Sequence, residues 1–292
     1  MIENFRGLGV AMVTPFKHDK SIDFDAVERL VEHLIGNGVD YLVVMGTTGE
    51  SATLSADERE DLIRFIVDKN DERVPVVVGI GGNNTSSVLE TIDDYNFKGI
   101  DAILSVTPYY NKPTQKGLEL HYKAIAAQSP VPVILYNVPG RTGVNMTAET
   151  TLKLAHDHSN IIAIKEASGN INQMSYILRD RPENFLVISG DDGLTLPQLA
   201  LGIDGVISVV GNAFPKQFSR MVKLGLEGNF AEASKIHLKM IEIIDALFAE
   251  GSPGGVKAAL NILGLMENSL RLPLVPISES ANYKLSLLIE NF

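Results

Sequence analysis

The sequence contains no cysteine, which excludes disulfides, thiol nucleophiles and cysteine-held zinc or iron–sulfur centres. Positive charge is also scarce: 25 lysines and arginines stand against 36 aspartates and glutamates, for a net charge of −11. That balance argues against nucleic acid as the main partner, because neutralising phosphates needs a basic face. It leaves room for a small anion in a locally positive pocket. No apolar run approaches the roughly 20 residues of a membrane span, so no membrane partner is expected. The opening residues, Met1 to Gly7, lack the charged and apolar regions of a signal peptide; the expected location is the cytoplasm.

Several motifs are missing as well. The six histidines show no H-E-x-x-H spacing, and His156 and His158, two apart, would face different sides of a helix, so no metal site is expected. There is no G-x-S-x-G elbow and no G-x-x-x-x-G-K-[ST] loop. Gly79-Ile80-Gly81-Gly82-Asn83-Asn84 lacks the third glycine of a dinucleotide fingerprint. No cofactor is implied. The Asp191-Asp192 pair admits a divalent ion, but first-turn carboxylates that cap the next helix are the simpler reading.

What the chain does have is alternation. Short β-rich runs are expected at Gly9–Thr14, Tyr41–Met45, Val76–Gly79, Ala102–Val106, Val133–Tyr136, Ile161–Ile164, Leu186–Ser189 and Val206–Val209. Helical patterns lie between them, as in Phe24 to Ile35, where Val27, Leu30, Val31, Leu34 and Ile35 share a face before Gly36 and Gly38 end it. Ser55 and Glu58 form a capping box, and Asn145 or Thr147 caps a later helix. Eight strand–helix units predict an α/β fold, a closed (β/α)8 TIM barrel over 1–228. Helical patterns at Phe230–Phe248, Gly255–Leu263 and Ile277–Ile289 predict a C-terminal extension over 229–292, packed on the barrel.

Unusual polar residues follow the carboxyl ends of the expected strands, where barrel enzymes place their sites. They include Thr47, Thr48 and Glu50 after the second, Tyr109 and Tyr110 after the fourth, and Gly190-Asp191-Asp192 after the seventh. Tyr136 and Asn137 end the fifth strand. Lys165 follows the apolar run Ile161-Ile162-Ala163-Ile164, which places a chargeable amine where a buried strand ends. A buried amine can lose its proton and become nucleophilic, although a lysine just past a strand also reaches solvent along its own stem. Tyr136, one unit earlier, offers a phenol to move protons as an imine forms; as a core tyrosine it would only satisfy its hydroxyl. Arg141, in Pro139-Gly140-Arg141-Thr142-Gly143, suits a carboxylate or serves as a solvated loop cation.

Gly46-Thr47-Thr48-Gly49-Glu50-Ser51, Val106 to Pro113, Tyr136 to Gly143 and Ile164-Lys165-Glu166-Ala167-Ser168-Gly169 together resemble the pyruvate-dependent class I aldolase family, which includes N-acetylneuraminate lyase. The resemblance runs from Gly7 into the tail. It implies a Schiff-base lyase that condenses pyruvate with L-aspartate 4-semialdehyde to 4-hydroxy-tetrahydrodipicolinate in lysine and diaminopimelate biosynthesis. Lys165 would carry the imine and Tyr136 its protons. Thr47 and Tyr110 would complete the relay, with Tyr110 lent across the interface of a homotetramer built as a dimer of dimers. Thr48 and the backbone at Ile207 would hold pyruvate's carboxylate beside Gly190, and Arg141 that of the semialdehyde. The cation at Arg141 separates this reading from the lyase that handles a sugar acid. A barrel without turnover that binds small acids is the reading from another class, and losing Lys165, Tyr136 or Arg141 would mark it.

The effector pocket of lysine-regulated members would map to Ser51, Ala52, Ala56, Arg59, Asn83, Ser87 and Tyr109. Ala56 and Arg59 replace histidines usual in strongly inhibited members, and Ser87 replaces an acid that would hold the effector's amine. Weak or absent inhibition by lysine is therefore expected.

Overall fold

The computed structural model describes residues 2–292. Eight parallel strands close into a barrel in chain order: β1 (Gly7–Ala11), β2 (Tyr41–Val44), β3 (Val76–Gly79), β4 (Ala102–Val106), β5 (Val133–Asn137), β6 (Ile161–Glu166), β7 (Leu186–Ser189) and β8 (Gly205–Ser208). Around them lie α1 (Phe24–Gly36), α2 (Ala56–Asn70), α3 (Thr85–Asp94), α4 (Gln115–Gln128), α5 (Pro139–Thr142), α6 (Ala148–Asp157), α7 (Ile171–Asp180), α8 (Thr195–Ala200) and α9 (Pro215–Leu226). The tail adds α10 (Phe230–Phe248), α11 (Gly254–Ile262) and α12 (Glu279–Glu290). The expected TIM barrel is the fold observed.

The differences from expectation have local causes. β1 starts at Gly7 and stops at Ala11, earlier than glycine's poor strand propensity suggests. Gly9 is required there because a Cβ would come within 2.2 Å of the Tyr41 ring. β6 runs through Lys165 and Glu166, so Lys165 lies within a fully buried strand and not just beyond it. The capping box at Ser55 and Glu58 forms in full. Of the two candidates before α6, Thr147 is the cap, accepting from the Thr150 amide.

Apolar residues form two separate clusters. One fills the barrel and includes Phe5, Tyr41, Val77, Ile134, Ile188 and Ile207. Phe5 plugs the amino end, 1% exposed and edge-on to Tyr41 with ring centroids 5.8 Å apart. The other cluster lies between sheet and helices, and the tail residues Met240, Leu247, Val256 and Leu285 belong to it together with Leu34 and Phe218.

At the amino end a repeated device fixes the strands. Asp40, Asp101 and Asp204 stand just before β2, β4 and β8, and accept the amides of Leu8, Val76 and Val187 at 2.7, 2.8 and 2.9 Å. Each carboxylate thus ties its own strand to the preceding unit. Asp204 is 2% exposed and also pairs with Arg181 and with Arg6. Removing it leaves the buried Val187 amide unpartnered and takes a carboxylate from Arg181 and Arg6. Asp204→Ala should therefore lose about 2 kcal/mol in urea unfolding, whereas a loss below a few tenths would mean that the β7–β8 junction does not depend on it.

Candidate active site

Parallel strands pair so that partners share a face. Val133 pairs with Ile161, but Ile134 pairs with Ala163, so Ile162 is an extra residue and β6 carries a bulge. Ile162 and Ala163 both belong to the inner cluster, while Ile161 and Ile164 belong to the outer one. The bulge re-phases the rest of β6: Tyr136 pairs with Lys165 and Asn137 with Glu166. Both Lys165 and Tyr136 are buried, 5% and 8% exposed. The Lys165 Nζ lies 4.4 Å from the Tyr136 ring centroid, over the aromatic face.

The outward residues of the same two pairs lock the junction. Glu166, 1% exposed, accepts the Ser168 amide at 2.7 Å, the Gln173 amide at 2.9 Å and the Asn137 amide at 3.0 Å. Asn137 also accepts from the Met146 amide at 2.9 Å, and Asn145 donates to Gln173 at 2.8 Å. Every polar end therefore meets a partner, and such a network rigidifies the place where Tyr136 and Lys165 meet.

Gly190, at the end of β7, leaves the space that Lys165 occupies. A Cβ there would come within 2.5 Å of the Ala167 Cβ and 3.1 Å of the Lys165 Cε. The two aspartates after it have different roles. Asp191 caps the turn, accepting the Leu194 amide at 3.1 Å. Asp192 does not cap a helix: it turns inward, contacts the Ser208 hydroxyl and accepts the Val209 amide at 3.0 Å. It thereby fixes the turn directly after Ile207, which is buried in the barrel's inner cluster. Burial raises the Asp192 carboxyl to about 6, against the pull of Ser208, the Val209 and Val210 amides and the Lys165 ammonium.

The rim is more open. Thr47–Gly49 forms a 3-10 turn after β2 in which Thr48 is 5% exposed and Thr47 is exposed. Arg141 is exposed on α5, which Pro139 starts and Gly143 closes. Tyr110 does not join this site: it is 89% exposed, with a left-handed φ of 69° that is unusual for a bulky residue. Of the seven residues assigned to an effector pocket, Asn83 donates to the Tyr109 carbonyl at 3.3 Å, and the Ser87 hydroxyl accepts from Asn84 at 2.9 Å. Ser51 and Ala52 lie on the β2–α2 connection, and Ala56 and Arg59 at the start of α2. A cavity of about 580 Å³ opens at the opposite, amino end, but its Asp40 and Asp101 are committed to strand amides.

Residues 4–292 match the profile of the Dihydrodipicolinate synthetase family. The chain belongs to the dihydrodipicolinate synthetase family. A Parabacteroides distasonis 4-hydroxy-tetrahydrodipicolinate synthase is 56% identical over 94% of this chain and 92% of its own. The Thermotoga maritima dihydrodipicolinate synthase structure superposes with a TM-score of 0.96 at 44% identity, covering 98% of both chains. A structure described as the first monomeric dihydrodipicolinate synthase variant gives 0.96 at 43% identity, over 99% of this chain and 97% of that one.

Within this synthetase-family barrel, the sequence did not single out Glu166 or Gln173 for this network, offered Asn145 only as a helix cap, and misjudged Asp192. An acid directly after a strand lysine was the available signal for Glu166. For Asp192 the signal was ambiguous, because only the fold shows which of two adjacent carboxylates points inward. A carboxyl whose folded-state value is raised stabilises fully below its ordinary value, 3.8, and loses that contribution as pH rises through about 6. The raised value corresponds to about 3 kcal/mol. In urea unfolding, Asp192→Asn should accordingly gain on the wild type by up to that amount between pH 4 and pH 7, and a constant difference would rule the effect out.

Proposed function

We propose that Lys165 forms a Schiff base with pyruvate and that the barrel joins it to L-aspartate 4-semialdehyde, giving 4-hydroxy-tetrahydrodipicolinate. The observation that carries this reading is the buried Lys165 amine, held 4.4 Å from the Tyr136 ring at the carboxyl end of paired strands. The amine attacks the keto carbon, and water leaves as the carbinolamine collapses to an imine. Tyr136 is placed to give and take those protons. The protonated imine draws electrons from the methyl group, which loses a proton to become an enamine. The enamine carbon attacks the aldehyde carbon, whose oxygen takes a proton. The second substrate's amine then adds to the imine carbon, closes the ring and releases Lys165.

The remaining site residues take their roles from position. Thr48 and the backbone at Ile207 hold the keto acid's carboxylate, and Gly190 keeps the wall beside Lys165 open. Arg141, exposed at the rim, receives the semialdehyde's carboxylate. Thr47 extends the proton relay, which Tyr110 of a second copy completes. The outward exposure of Tyr110 and its left-handed backbone support such lending, since strain in an exposed residue calls for a compensating contact. The assembly proposed is a homotetramer of two dimers. No helix among the described residues is long and apolar enough to cross a membrane, and we place the enzyme in the cytoplasm.

Borohydride reduction in the presence of pyruvate should fix a mass adduct on Lys165, and wild-type protein without one would sink the reading. Arg141→Ala should leave that adduct intact while raising the KM for aspartate 4-semialdehyde on the order of 10- to 100-fold, the worth of a charged hydrogen bond. Lysine should inhibit weakly or not at all, since Ala56 and Arg59 offer no imidazole and Ser87 no carboxylate. Strong inhibition in a lysine titration at low concentration would contradict that expectation.

A further inference from the structure

The loop that carries Thr47 and Thr48 ends at Glu50, whose φ of 52° is left-handed and whose amide donates to the Thr47 carbonyl at 3.1 Å. Glu50 is 3% exposed. Its carboxylate meets the Nζ of Lys257 on α11, and both side chains are fully buried. The second carboxylate oxygen accepts the Arg271 amide at 3.0 Å. Lys257 also donates to the Ser269 carbonyl at 2.9 Å and lies 4.3 Å from the Phe16 ring centroid, which Arg271 approaches to 4.4 Å. The Arg271 guanidinium reaches the Thr53 carbonyl at 2.9 Å and pairs with Glu58 of the α2 capping box, holding that carboxyl down to about 2. The tail thus grips the β2–α2 connection at Glu50 and Thr53 and the start of α2 at Glu58, all beyond Thr48.

A buried ion pair is weak evidence for a stabilising role, because desolvating two charges offsets most of their attraction. Desolvation is large here: burial pulls the Lys257 ammonium down to about 8 in spite of Glu50. What the pair supplies is direction. It fixes a glutamate in a backbone conformation that non-glycine residues avoid, two residues after Thr48. We infer that Glu50 and Lys257 are positioning residues for keto-acid binding: the C-terminal segment, through this pair, holds Thr48 in register with Lys165. The inference rests on the reading of Lys165 and Thr48 proposed above.

The test uses the full chain and measures steady-state kinetics together with the pyruvate concentration that half-saturates borohydride trapping. The double variant Glu50→Gln/Lys257→Met removes both charges at similar volume, so it should fold with a melting temperature near or above that of the wild type. Its half-saturating pyruvate and its KM should rise on the order of 10- to 100-fold, the scale of a displaced binding group, with kcat at saturation changed only a few-fold. Glu50→Asp keeps the charge one methylene short, should raise the same KM, and reads the effect independently if the double variant fails to fold. A pyruvate KM within twofold of wild type in whichever of these variants folds would overturn the inference while leaving Lys165 trapping intact. Wild-type protein without an adduct overturns the underlying reading, and this inference with it.

Discussion

The extra residue in β6 decides which way Lys165 faces. With strict alternation from Ile161, Lys165 would share the outward face of Asn137, and the inner wall would be closed by apolar side chains. The bulge at Ile162 places two successive residues inside and brings Lys165 onto the Tyr136 side. Bulges re-aim side chains at the rims of barrels, and here the outward network of Asn137, Glu166 and Gln173 pins the re-phased strand directly behind the amine. The small residues Ala163 and Gly190 complete the arrangement by leaving room on the inner face.

Around that amine the protein handles buried charge in three ways. Lys165 packs its Nζ against an aromatic face. Asp192 is surrounded by amide and hydroxyl donors and raised toward neutrality by burial. Lys257 is closed off by a carboxylate, a carbonyl and a ring. The difference lies in the surroundings rather than in the residue type: one lysine faces an aromatic ring with no carboxylate partner, and the other is a fully buried, paired cation.

Much of this was legible in the sequence, and the parts that were not share a cause. Six strands, β3, β4 and β7 among them, fall within a residue of their expected bounds because β-rich runs between breakers carry a local signal. Lys165 and Tyr136 stood out because each sits at a strand end one unit from the other. The bulge left no trace, since Ile161 to Ile164 is apolar at every position and hides a change of phase. Glu50 and Arg271 meet across 221 residues, a separation that no periodicity reports. The inward turn of Asp192 depends on Ser208 in a different strand.

The two apolar clusters lie on opposite faces of the strands, whose residues alternate between one and the other except at the β6 bulge. Interior side chains can thus be exchanged without loosening the contacts between sheet and helices, and the outer layer can change without reshaping the cup beneath Lys165. Cores that keep volume and pattern tolerate such exchange. Over many generations the floor of the cup and the shell that carries the helices are therefore free to drift at different rates, and a lineage can change the shape of its reactant while retaining the same scaffold.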